Sequence, residues 1–169
     1  MYDGKTRVRR PQGGGLVRTL LGVALLIGLV GLWWAYEASK QYVGLKERVV
    51  GRVTHVRDGD TIEVSGRAVR LKGLTCDERG TAFGETAINA IRNVVAGQTL
   101  SCALTGEHSY DRAIGWCSLS DGRDIGAILI ARGVCGRCER YDPFRNYAGV
   151  QREARVFAGG HPRYCWAPW

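Results

Sequence analysis

VVGRVTHVRDGDTIEVSGRAVRLKGL, residues 49–74, holds three apolar-rich runs separated by two turn signals. Val49–Val56 alternates apolar and polar residues, the period of a half-buried strand. Asp58-Gly59 follows, a short hairpin signal. Thr61–Val64 is β-branched and reads as the returning strand. Ser65-Gly66 is a second turn, and Arg67–Leu74 reads as a third strand. Together they predict a three-stranded antiparallel meander.

Downstream, Ala87, Ile88, Ile91, Val94 and Val95 recur at helical spacing, with Gly97 as a stop. Two more strands are expected near Thr99–Leu104 and Ala113–Leu119. Asp124 can cap a second helix running to about Arg132, with Gly133 after it. Val150, Ala154 and Phe157 mark a third, shorter helix. The order βββ-α-ββ, followed by two helices, predicts an α+β domain: a five-stranded OB-fold β-barrel with about three packed helices. Cys102 and Cys117 are symmetric about a turn centred between Ser109 and Tyr110. Opposite each other in a hairpin, they are the expected disulfide.

Upstream of the meander, residues 19–36 carry no charge and are rich in Leu, Val, Ile and Gly. A bilayer core needs about 20 apolar residues. Trp33, Trp34 and Tyr36 crowd the C-terminal end of this run, where amphipathic rings favour the lipid–water boundary. Before it, residues 1–18 hold Lys5, Arg7, Arg9, Arg10 and Arg18 against Asp3 alone. The pattern predicts a basic cytoplasmic tail (1–18) and one transmembrane signal anchor (19–36). A cleaved signal peptide would have a shorter apolar region and small residues where Trp33-Trp34 stands. Residues 37–48 read as a stalk and 49–169 as the folded domain. The expected location is the bacterial cytoplasmic membrane, N-terminus inside, with the domain in the periplasm or outside.

The cysteines agree with export. Cys76, Cys102, Cys117, Cys135, Cys138 and Cys165 all follow the anchor, and disulfides persist in oxidising compartments. Their connectivity beyond Cys102–Cys117 stays open, since six cysteines allow 15 arrangements. Cys135-x-x-Cys138 lacks the βαβ context of a redox motif. A zinc site completed by His161 and Cys165 would have an unfamiliar spacing.

Composition narrows the partners. Lys plus Arg total 24 against 16 Asp plus Glu, a formal net charge of +8, which favours polyanions such as nucleic acid or anionic lipid. The 24 glycines follow no Gly-X-Y period and Pro is rare at 4, so a collagen-like or Pro-rich linker protein is excluded.

Three stretches carry polar groups suited to chemistry: Val56-Arg57-Asp58-Gly59-Asp60-Thr61-Ile62, then Val69-Arg70-Leu71-Lys72-Gly73-Leu74-Thr75-Cys76-Asp77-Glu78, then His108-Ser109-Tyr110-Asp111-Arg112. Singly, each could be a turn, a solvated strand residue or a charged loop tip. In this order they resemble the thermonuclease, or staphylococcal-nuclease-like, family. The resemblance covers about residues 49–169, and only the Tyr and the final Arg of the third motif are kept.

The resemblance implies phosphodiester hydrolysis. Glu78 matches the carboxylate acting on the attacking water, and Arg70 and Arg112 match two phosphate-gripping arginines. Guanidinium groups suit this task because they bind phosphate oxygens bidentately and stay charged. Tyr110 and Tyr141 match aromatic residues near the substrate. Asp60 matches a calcium ligand, making Ca²⁺ the implied cofactor. Thr75 replaces the family's second metal carboxylate, and Asp77 is a possible substitute.

The expected function is a membrane-anchored, extracytoplasmic nuclease cleaving DNA and/or RNA with little sequence preference. The alternative is a catalytically impaired nuclease-like domain that binds nucleic acid or a protein partner at the cell envelope. The sequence leaves the oligomeric state open.

Overall fold

The structure, a computed structural model, describes residues 26–34 and 47–166. The domain is mixed α+β, built on a five-stranded sheet. Its strands are β1 (Glu47–Asp58), β2 (Thr61–Val64), β3 (Arg67–Leu71), β5 (Thr99–Ser109) and β6 (Arg112–Ser118). A short pair, β4 (Leu74–Thr75) and β7 (Gly136–Arg137), lies apart from them. The helices are α1 (Ala82–Val95), α2 (Ile125–Ala131) and α3 (Ala148–Glu153), with 3₁₀ turns at Glu139–Tyr141 and Arg163–Cys165.

The five long strands pair in the order β1-β2-β3-β6-β5, and β5 returns to β1, closing a barrel. β1 serves two neighbours in succession. Its first half, Glu47–Arg52, pairs with β5, and its second half, from Val53, pairs with β2. Register shifts between Val53 and His55 and between Val56 and Asp58 bend it between them. Such irregularities let a strand turn a barrel corner. The β2–β3 connection is Ser65-Gly66, both at positive φ (50° and 78°), the two-residue turn that matches strand twist.

Ile62, Val64, Val69, Leu100 and Leu104 fill the barrel core. α1 adds Ala87, Ile88, Ile91 and Val95 to the same core, and α2 adds Ile125, Leu129 and Ile130. Each of these helices begins on a side-chain cap, Thr81 accepting from the Gly84 amide and Asp124 from the Ala127 amide. Asp124 also accepts from the buried Tyr147 hydroxyl at 2.9 Å. Asp124→Ala is therefore expected to cost about 2 kcal/mol, combining a lost cap with an unpartnered buried hydroxyl. Urea unfolding measures this, and a loss below about 0.5 kcal/mol would contradict the shared role.

Three expectations need correction. The third strand ends at Leu71, not Leu74, because Gly73 at φ 85° turns the chain away. Leu74 and Thr75 then pair with β7, an element the sequence reading lacked. The third helix is Ala148–Glu153, so Phe157 is not helical. The Phe157 ring instead covers Gly136, where an added Cβ would approach Phe157 Cδ1 to 2.7 Å.

The β5–β6 hairpin turns at Tyr110-Asp111, because Ser109 pairs with Arg112. This is one residue beyond the expected centre. An irregularity between Leu104 and His108 absorbs the offset, so Cys102 still faces Cys117 and is bonded to it. The other disulfides are Cys76–Cys135 and Cys138–Cys165. Thus Cys135 and Cys138 join different partners.

Half of the span expected at 19–36 lies outside the described residues. Residues 26–34 are helical. Among the described residues, no helix is long and apolar enough to cross a membrane.

Candidate active site

Strand register assembles the centre of the site. Arg70 lies directly opposite Thr61 on β2 and opposite Ile114 on β6. It is therefore central in the sheet, not on an edge. Arg112 is two residues before Ile114 on the same strand, so alternation puts both on one face. Residues far apart in sequence thus meet because β3 and β6 run parallel.

A polar chain links them. Arg70 Nη2 is 2.7 Å from Asp60 Oδ2. Thr61 Oγ1 donates to Asp60 Oδ1 at 2.8 Å and accepts from Arg112 Nη1 at 3.4 Å. Arg112 also donates to the Ser109 carbonyl and hydroxyl at 3.2 and 3.0 Å. Among the described residues, no carboxylate lies within salt-bridge distance of Arg112. Its guanidinium is held in place without a carboxylate in direct contact, which leaves it able to bind an anion.

Arg70, Glu78, Arg112, Tyr110 and Tyr141 all line one cleft of about 830 Å³. That volume is in the range of small-ligand pockets. Asp60 is not part of the lining; it is buried behind Arg70 at 4% exposure.

Glu78 comes from the loop between β4 and α1. Its side chain is exposed, but its backbone is held on every side. Cys76 is bonded to Cys135, and Asp77 accepts from the Gly160 amide at 2.6 Å. Arg79 donates to the Val56 and Arg57 carbonyls of β1. The Glu78 carbonyl accepts from the Thr81 hydroxyl and amide at the start of α1. Gly84 permits this close approach, since a Cβ there would sit 2.0 Å from the Glu78 oxygen. The carboxylate thus stands on a fixed base, and among the described residues its oxygens have no hydrogen-bond partner, leaving them free for a ligand or water.

Tyr110 occupies the hairpin tip at φ 59° and 94% exposure. A bulky residue in that conformation costs roughly 1 kcal/mol or more, and such outliers concentrate at functional sites. The Arg112 guanidinium lies 5.9 Å from its ring centroid. Tyr110→Gly is expected to leave stability unchanged or raise it by up to about 1 kcal/mol while weakening substrate affinity. Parallel melting and KM measurements decide this; a fall in stability with unchanged KM would give Tyr110 a merely structural role.

The implied calcium ion does not fit the residues present. Arg70 and Thr61 engage both Asp60 oxygens. Burial pushes the Asp60 carboxyl above its ordinary range, against the pull of Arg70 and Thr61. Thr75 is buried and brings no charge. Asp77, the possible substitute, has its Oδ1 on the Gly160 amide. Among the described residues, no three His, Cys, Asp or Glu side chains gather where they could hold a metal. Calcium seeks about six to eight oxygens.

The motifs did not reveal every lining residue. Lys72 lines the cleft and pairs with Glu107 at 2.6 Å. Strand alternation from Arg70 could have found Lys72. Arg140 and Tyr164 also line the cleft, and nothing local in the sequence marks them.

No family profile matches the chain. A protein of Escherichia coli O157:H7 named uncharacterized endonuclease is 31% identical over 109 residues, covering 62% of this chain and 71% of that protein. An Escherichia coli protein of the same name matches equally. The succinoglycan biosynthesis protein ExoI of Rhizobium meliloti (strain 1021) is 32% identical over 101 residues, covering 53% of this chain and 52% of the relative. With nearly a third of the aligned positions identical across most of the length of the endonuclease-named proteins, the chain belongs to their nuclease family.

Proposed function

We propose that the chain is a membrane-anchored, extracytoplasmic nuclease of the thermonuclease type, hydrolysing phosphodiester bonds of DNA or RNA with little sequence preference. The observation that carries this reading is the opening of Arg70, Glu78 and Arg112 onto one cleft, with no carboxylate among the described residues in salt-bridge contact with Arg112. In this mechanism the two guanidinium groups bind the non-bridging oxygens, where negative charge grows during attack. A Glu78 oxygen takes a proton from the attacking water. The water oxygen forms a bond to phosphorus as the bond to the leaving oxygen breaks, and that oxygen leaves with a proton from solvent. No step passes through a metal ion. Phosphate contacts carry no sequence information, hence the low selectivity.

The strand order β1-β2-β3-β6-β5 supports reading the barrel as an OB-fold. The anchor at 19–36 rests on the uncharged run and the basic tail before it. Three disulfides suit an oxidising compartment.

The test is cleavage of labelled single- and double-stranded DNA and RNA by the purified chain, with calcium and with a chelator. Turnover is expected in both conditions, and Glu78→Gln is expected to reduce it by about 100-fold or more. Undiminished turnover in Glu78→Gln would refute the site assignment. Salt-dependent binding without turnover would favour a nuclease-like binding module. Fractionation with external protease tests the anchor; a protected, membrane-free chain would overturn that part.

A further inference from the structure

Beyond the three groups assigned to phosphate, the cleft has a wall of exposed aromatic rings. Tyr141 and Tyr164 line it at 46% and 48% exposure, with ring centroids 6.4 Å apart. Arg140, also in the lining, holds its guanidinium 5.9 Å from the Tyr141 ring. Solvated rings gathered in a concave site are unfavourable unless something covers them.

These rings come from two separate 3₁₀ turns, Glu139–Tyr141 and Arg163–Cys165. The Cys138–Cys165 disulfide joins the turns, and both sulfur-bearing residues are buried at 1% and 0% exposure. The Cys138 amide donates to the Gly73 carbonyl at 2.9 Å, tying the assembly to the end of the strand that carries Arg70. A His161 ring nitrogen lies 2.8 Å from the Arg137 carbonyl, fixing the segment before Tyr164. The wall is built into the fold beside the phosphate-binding arginines.

We infer that Tyr164, set against Tyr141 by the Cys138–Cys165 disulfide, is a specificity-determining residue that receives an unpaired nucleobase of the substrate strand. This rests on the nuclease reading above. A planar base matches rings beside a guanidinium, and its attached phosphate would lie towards Arg70 and Arg112. Stacking on a tyrosine accepts any base, so it discriminates against strands whose bases are paired or absent, without reading sequence. A free phosphate or lipid headgroup would engage the arginines and leave the rings uncovered.

The full oxidised chain carrying Glu78→Gln is titrated, by fluorescence anisotropy, with a labelled single-stranded oligonucleotide and with the same backbone bearing consecutive abasic residues. The base-bearing strand is expected to bind about tenfold more tightly, within the range for one base on an aromatic ring. Tyr164→Ala is expected to abolish most of that difference while leaving the abasic affinity unchanged, and Tyr164→Phe to preserve it. Melting and a count of free thiols verify that each variant keeps its fold and disulfides. Equal weakening of both strands by Tyr164→Ala, no weakening of either, or binding of neither strand by the parent chain overturns the inference. Cleavage of the same oligonucleotide by the chain with Glu78 intact reads the nuclease assignment separately, so base discrimination without cleavage would sink that assignment alone.

Discussion

Replacing Arg70 by alanine is expected to lower turnover of a phosphodiester by about 100-fold or more, because a preorganised donor to the developing charge is lost. It is also expected to destabilise the domain by about 3 kcal/mol at neutral pH, because the buried Asp60 carboxylate loses its cation. The two effects separate by pH. Burial already raises the Asp60 pKa above its ordinary value of 3.8. An acid with a raised folded-state pKa incurs no penalty below its unfolded value, and its penalty grows as pH climbs through the folded one. Without Arg70 the folded value climbs further, so the penalty at neutral pH increases. Denaturation of Arg70→Ala should therefore show the largest deficit near neutrality and recovery as pH falls towards about 4. Arg112→Ala supplies the contrast. It pairs with no carboxylate among the described residues, so its loss should impair turnover comparably with little effect on stability. A pH-independent deficit in Arg70→Ala would refute the account of the Asp60 pair.

Removing the Cys76–Cys135 bond has the second large effect. Its cysteines are 59 residues apart in sequence. Constraint of a loop that long is worth about 4 kcal/mol on the chain-entropy account. Cys76 is also two residues from Glu78, so the bond holds the base of the proposed water-activating carboxylate. The double replacement Cys76→Ser with Cys135→Ser should lower kcat by about 10- to 100-fold under conditions where the protein stays folded, since small misplacements of a reacting group are expensive. Cys102→Ser with Cys117→Ser removes a bond between cysteines only 15 residues apart. That change should lower stability by about 3 kcal/mol and leave kcat near its original value. Urea unfolding beside steady-state kinetics measures both. An equal kcat loss in the two pairs would mean that the Cys76 bond acts through general stability.

Some of this was legible because the signals are local. The meander from Val49 follows from alternation and two turn dipeptides. The face of α1 follows from the 3.6-residue spacing of Ala87, Ile88 and Ile91. Cys102–Cys117 follows from hairpin symmetry, and it tolerates the one-residue error in the turn because the irregularity before His108 takes up the offset. Glu78, Arg70 and Arg112 could be nominated from motif order. Their convergence could not, since no local signal reports a parallel pairing of Arg70 with Ile114 across 44 residues.

Elsewhere the local signals misled or were silent. Leu74 looks like a continuation of its strand until Gly73 turns it towards β7. Cys76 has no partner visible along the chain, and Tyr164 is an ordinary aromatic until the Cys138–Cys165 bond draws it beside Tyr141. Asp60 invited a metal by its motif, yet it is buried with one oxygen on Arg70 and the other on the Thr61 hydroxyl.

What the amino-acid order settled by itself was the five barrel strands, the first two helices, one cross-strand disulfide and the chemical inventory. These depend on interactions over a few residues, where periodicity and turn chemistry are sufficient. Only the tertiary structure decided which groups share the cleft, which Asp60 partner prevails, and which rings the remaining disulfides bring together. Those outcomes depend on closing the barrel and on burial, whose free energies belong to residues distant in the chain and have no signature in any short segment.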